Sequence, residues 1–321
     1  MQVVKRERHY RRIPTTPPTR RAEAGRWPPG APTPHRERPV VSRPASQRRV
    51  VSRRAFSLIE LLVVLGVVML LIGLLIPALR SARETARIAS CLSNQHQLII
   101  AWSLYANDYQ DRAMPLAYWS EADIGGGPQV FWWGTHGTPS SPVDLSRGFI
   151  GPYLGAELAR KSVFECVSQP WGSYRPQGAS NEPTSTYGYN GYYLSPAKTP
   201  GWGATIGFRP WRRLSDIVRT PDLFVFADTL LPMQPARNCA LLDPPQIYSH
   251  GEGWTDNTTP TTAFRHHTRK AGQGTAVTSR ADGSAQQVVS RPEWIVVPGF
   301  NVGSAGQTNA AHYVPDSDEW R

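Results

Sequence analysis

Glu60 is the residue of this chain whose chemistry most needs explaining. It stands in a run from Phe56 to Leu79 in which only Glu60 and Ser57 are polar among 24 residues. A bilayer-spanning helix needs about 20 such residues. A carboxylate inside one costs roughly 2.5–3.5 kcal/mol at the centre and somewhat less near an end. The chemistry called for is charge pairing, with an amine or guanidinium brought to Glu60. Elsewhere, Asp228, His250, His266, His267 and Asp282 are of the types that build acid–base or metal sites. No HExxH, GxSxG, P-loop or GxGxxG string accompanies them. Histidines beside strands are more often hydrogen-bonded structural groups, and Asp before Gly makes a turn. The reading is therefore no catalytic residue, no metal and no cofactor. Asp316, Asp318 and Glu319 could attract a cation but lack the Gly turn of an EF-hand, and read as a solvated acidic tail.

The elements that must position these residues follow from pattern. Apolar periodicity continues past Pro77 through Ala82, Ala86, Ala89, Leu92, Ile99, Trp102, Ala106 and Tyr109, with Gln95 as the exception. One helix from about Ser57 to Asp108 is expected, roughly 75–80 Å long: residues 56–79 in lipid, residues 80–110 laying an amphipathic face on a soluble domain. Met114-Pro115 is expected to end it. Beyond lie short segments broken by Gly and Pro, with Trp119, Trp132, Trp133, Trp171, Trp202 and Trp211 read as packing groups. Leu223–Ala227 reads as a buried strand. Gly274–Arg280 and Ser284–Val289 flank Ala281-Asp282-Gly283 as a hairpin, and Trp294–Val297 is a further strand. The fold class is α+β, with a long N-terminal helix packed on an antiparallel sheet and residues 111–321 forming a loop-rich globular domain.

Charge separates the chain into two parts. Of 35 basic and 24 acidic residues, 15 and 3 fall in residues 1–55, leaving 20 and 21 in residues 56–321. The basic excess belongs to the first segment alone, so the folded part has no electrostatic footprint for nucleic acid. With nine prolines and few apolar clusters, residues 1–55 read as a disordered leader. By the positive-inside rule the leader stays in the cytoplasm and the globular domain lies outside a single-pass inner membrane span.

Ala55-Phe56-Ser57-Leu58-Ile59-Glu60, with its basic flank and apolar span, resembles the processing site of type IV pilins and type II secretion pseudopilins. The resemblance implies cleavage by a prepilin peptidase between Ala55 and Phe56 and methylation of the new amine. It also implies a role for Glu60 in assembly, a helix kink at Pro77, and a pilin-like fold. The partners implied are other pilin or pseudopilin subunits, an assembly platform and membrane lipid. Cys91-Leu-Ser-Asn-Gln-His-Gln-Leu, Phe164-Glu165-Cys166-Val167-Ser168, Tyr187-Gly188-Tyr189-Asn190, Arg265-His266-His267 and Asp282-Gly283 are similar to strings of a planctomycete-type pseudopilin-like group. Because Cys91 and Cys166 both sit in those strings, the resemblance implies that they form a disulfide, with Cys239 left over; three buried free thiols are the alternative. The spacings of the three do not resemble a zinc site. Ser52-Arg53-Arg54-Ala55-Phe56 also resembles a twin-arginine export signal, but the apolar run is long and no Ala-x-Ala follows. An uncleaved signal anchor carrying an envelope binding module or hydrolase is the remaining reading.

Overall fold

The structure is a computed structural model. It describes residues 56–136, 144–155, 162–169, 175–176, 184–200, 203–249, 251–268 and 272–315. The leader with Ala55, and Trp171, Trp202, His250, Asp316, Asp318 and Glu319, lie outside the described residues.

Helix α1 spans Leu58–Asp108, 51 residues, and continues through Pro77. At 1.5 Å per residue it is about 77 Å long. Its most apolar window is wholly unburied, and its length and composition suit a membrane span. Burial begins one turn after Glu84, at Ile88, and runs through Cys91, Gln95, Leu98, Ile99, Ala101, Trp102, Tyr105 and Ala106. The expected stripe is thus corrected at both ends. Ala82, Ala86 and Ala89 face solvent, as does Tyr109, while Gln95, the polar exception within the stripe, is buried with it. An exposed Ala loses little, so Ala periodicity alone does not mark a packed face.

The helix ends at Asp108, as expected, and the chain turns before it reaches Met114-Pro115. Gln110 and Asp111 take left-handed φ values of 58° and 66°, and the Asp111 N–H donates back to the Ala106 carbonyl at 2.8 Å. Neither residue is the glycine that usually signals such a stop. Asp111 is held there by a distant loop: its carbonyl accepts from Leu214 N–H at 2.8 Å and its Oδ2 from Ser215 N–H at 3.0 Å.

The central sheet has four antiparallel strands: β1 Tyr187–Tyr189, β2 Phe224–Asp228, β3 Thr275–Arg280 and β4 Ala285–Val289, in the order β4-β3-β2-β1. β2 is buried at every position, one residue on from the expected Leu223–Ala227, so that Asp228 lies within the strand and not beyond it. β3 and β4 form the expected hairpin, with Thr275 opposite Val289. Asp282 makes its turn, accepting from Ser284 N–H at 2.9 Å, and Gly283 supplies the left-handed residue at φ 88°. Ile295–Val297 is a strand in a smaller sheet with Val302–Gly303 and Thr262–Ala263.

Helix α1 crosses the sheet against β2, β3 and β4, giving an α+β layer with one main core. Trp102, Trp132, Tyr189 and Phe226 are fully buried in it. Trp132 donates to the Ala240 carbonyl at 2.8 Å, and Trp133 is buried as well. Trp211 is partly buried and donates to the Ala113 carbonyl at 2.8 Å. Trp119 is the outlier at 40% exposure.

Candidate functional site

Two groups of residues singled out by the sequence lie at different levels of α1. At the lower end, Phe56 precedes the helix and is exposed, and Glu60 occupies the first turn. An acid in that turn is favoured by the helix dipole.

At the upper end, the polar residues of α1 act as rungs into the sheet. Glu84 Oε1 accepts from the His267 backbone N–H at 3.2 Å and lies 3.5 Å from His266 Nδ1. The Cys91 and Cys166 sulfurs are 3.2 Å apart, both buried and unbonded. Asn94 donates to the Glu165 carbonyl at 3.1 Å and to the Tyr187 hydroxyl at 3.4 Å. Trp102 Nε1 donates to the Tyr189 hydroxyl at 3.2 Å, which itself donates to the Met114 carbonyl at 2.7 Å.

The centre of this arrangement is His266. Its backbone pairs with Thr275 at the start of β3 through two hydrogen bonds of 3.0 and 2.7 Å, which fixes the ring beneath the helix. Nδ1 meets Ser168 Oγ at 3.1 Å. Nε2 lies 3.5 Å from Cys166 Sγ and 3.3 Å from Asp228 Oδ2. Asp228, at the end of β2, also accepts from Val277 N–H at 2.7 Å, and its other oxygen lies 3.8 Å from Arg265 Nε. Arg265 in turn donates to the Thr229 and Thr186 carbonyls.

The electrostatics are those of a closed ion cluster. Burial opposes the charge on His266, but the Asp228 hydrogen bond, with Cys166 behind it, raises its pKa to about 10. Burial likewise opposes the Asp228 carboxylate, yet Arg265 and His266 hold it below its usual value. The hydrogen bond from Cys166 outweighs burial and pulls the Cys91 thiol down. Burial and that same bond push Cys166 up. Cys91 is therefore the more acidic sulfur of the pair.

The sulfurs of Cys91 and Cys166 and a ring nitrogen of His266 lie within 4.8 Å of one another, so the fold assembles a donor set that sequence spacing did not suggest. Its geometry fits a thiol pair better than zinc. Two thiolates bound at about 2.3 Å to a tetrahedral ion stand about 3.8 Å apart, against 3.2 Å here. Cys239 is remote from this centre in its bonding, its thiol donating to the Leu241 carbonyl at 3.2 Å.

Of the candidate acid–base residues, Asp228 and His266 are brought together. His267 is exposed and contributes its backbone to Glu84. Asp282 sits in the turn beyond Arg280, at the far end of β3 from the residue that pairs with His266. Sequence reasoning missed Glu84, and marked Asn94 and Ser168 only as members of motif strings. The signal for Glu84 was there, since residues seven apart on a helix share a face and Glu84 stands seven before Cys91.

Two motif residues have backbone roles. A Cβ on Gly188 would meet Thr229 Cγ2 at 2.5 Å and the Leu241 carbonyl carbon at 2.7 Å, so β1 approaches its neighbours as only glycine allows. Asn190 donates to the Phe224 and Tyr313 carbonyls at 2.9 and 3.0 Å and accepts from Tyr193 N–H at 3.3 Å. No protein-family model, curated protein or solved structure matches the chain.

Proposed function

We propose that this chain is a pilin-like structural subunit, processed before Phe56 and assembled into a type IV pilus or type II secretion pseudopilus. The observation that carries the reading is α1 itself. An exposed apolar half begins two residues after Phe56 with an acid in its first turn, and is continuous with a half that packs on the sheet.

A chain of this form is anchored by residues 58–79 with its basic leader in the cytoplasm and its globular part outside. A prepilin peptidase cuts between Ala55 and Phe56 and frees an amine. In the filament, that amine on one copy pairs with Glu60 of its neighbour, while the apolar halves lie side by side. A buried ion pair of this kind sets register more than it adds net stability. The partners are the peptidase, other subunits, an assembly platform and lipid; nucleic acid is not among them, since residues 56–321 carry 20 basic and 21 acidic residues.

N-terminal mass spectrometry of the membrane-fraction protein tests the reading. A methylated Phe56 terminus is expected. An intact Arg54-Ala55-Phe56 peptide in that fraction would overturn it and leave a signal-anchored envelope protein.

A further inference from the structure

The chain has a cleft of about 750 Å³ between α1 and the loops at Ser168 and at 265–268, and nothing above explains it. Its floor is Ile76 and Pro77, in the last turn of the apolar run, and its walls carry Arg80, Arg87 and Arg265 with the hydroxyls of Ser81, Ser168 and Thr268.

Depth places this cleft. From Leu58 to Leu79 is 22 residues, about 33 Å of helix, against a hydrocarbon core of about 30 Å. Arg80 therefore stands at the level of the lipid headgroups on the side where the span ends. Charge points the same way. Glu84 and Asp228 are the carboxylates in and behind the cleft, and they face Arg80, Arg87, Arg265 and His266. With His266 protonated, as its pKa of about 10 requires near neutrality, two positive charges are left over among the described residues. Guanidinium groups recognise phosphate in a two-pronged fashion, and neighbouring hydroxyls complete its shell.

We propose that this cleft binds the phosphate headgroup of an anionic phospholipid, with the acyl chains running down α1 past Ile76. The inference rests on the membrane-anchored part of the proposed function, not on filament assembly. Guanidinium groups in such a pocket bond the phosphate directly, and each such bond is worth about fivefold in affinity. Losing Arg80 and Arg87 together is then about 30-fold, the equivalent of roughly 2 kcal/mol.

The test uses the full chain, isolated from membranes in mild detergent and titrated with phosphatidylglycerol or phosphatidylcholine under native mass spectrometry. The parent is expected to retain one phosphatidylglycerol in preference to phosphatidylcholine. Arg80→Gln with Arg87→Gln should weaken that binding about 30-fold. Arg83→Gln, which removes one charge from the same stretch of helix outside the cleft and so no bond to the phosphate, should change it less than about twofold in a detergent micelle, where general surface attraction is screened. Equal losses from Arg83→Gln and from the double variant would reduce the effect to general surface charge and overturn the site. So would retention of phosphatidylglycerol by the double variant, or the absence of any headgroup preference in the parent. Displacement of the lipid by an equal concentration of inorganic phosphate would reassign the cleft to a free anion and overturn the lipid assignment. Carbonate extraction of membranes is run beside it. A chain released by carbonate refutes the spanning segment itself, whereas a carbonate-resistant chain with no lipid preference refutes the cleft alone.

Discussion

Asp228→Asn removes the one carboxylate that faces both Arg265 and His266, at 3.8 and 3.3 Å. Breaking a buried ion cluster by deleting one partner costs about 3–5 kcal/mol, because the remaining charges stay buried. For a folded unit of this size each kcal/mol is worth about 2–4 °C, so the melting temperature should fall by roughly 6–20 °C. The pH profile should change as well. In the parent, His266 is raised from 6.5 to about 10, so its contribution is complete below pH 6.5 and is lost as pH rises through 10. Asp228 is lowered from 3.8, so its contribution is complete above that value and is lost as pH falls below it. Parent stability should therefore be level between about pH 4 and 6.5 and decline on both sides. In the Asn variant burial drives His266 towards its neutral form, and the alkaline decline should disappear. Thermal unfolding of the full chain in detergent, followed by tryptophan fluorescence from pH 3 to 10, measures both effects. A loss below about 1 kcal/mol, or an unchanged alkaline limb, would refute the coupling of Asp228 to His266. A cycle with His266→Gln should show the two losses to be far from additive.

Other outcomes can be checked with the same preparation. Glu60→Ala should leave membrane insertion intact but reduce recovery in sheared filaments or pseudopili; undiminished recovery counts against the pairing with Phe56. In chain taken from an oxidising compartment, Cys91 and Cys166 should be linked, closing a loop of 75 residues and stabilising by about 4 kcal/mol in the chain-entropy model. Alkylation after unfolding should then find one thiol before reduction and three after it, and three in both cases would sink the link. Trp102→Ala should cost about 3–5 kcal/mol through lost packing, whereas Trp102→Phe should cost about 1 through the lost bond to Tyr189. Gly188→Ala should destabilise by about 1–3 kcal/mol by overpacking against Leu241 and Thr229. Denaturant titration with an unchanged midpoint would contradict the expectation for any of the three variants.

Local patterns in the sequence were enough for α1, β2, the β3–β4 hairpin and the Ile295–Val297 strand, but not for β1, which stood out only as a motif string. The apolar run, the absence of Gly and Pro from Arg80 to Asp108, and the Asp282-Gly283 turn each act over a few residues, so helix and hairpin follow from them. The packed face of α1 did not follow so directly. It is set by what the sheet presents, which exposes Ala82, Ala86 and Ala89 and buries the amide of Gln95 with no hydrogen-bond partner among the described residues. The left-handed turn after the helix is held by Ser215, 104 residues beyond Asp111, and no nearby residue signals that contact. The thiol–imidazole centre joins positions 75 and 100 residues apart. Their residue types stood out, but their meeting is a product of sheet order and of the register between His266 and Thr275.

The unbroken passage of α1 from Leu58 to Asp108 makes residue count a steering angle. An α-helix turns about 100° and climbs about 1.5 Å with each residue. One residue added between Leu79 and Ile88 would swing the sheet about 100° around the shaft. Four would lift it about 6 Å yet return it to within about 40° of its first heading. Copies packed along their apolar halves, as in the proposed filament, would share a compass bearing only while they share the length of that neck.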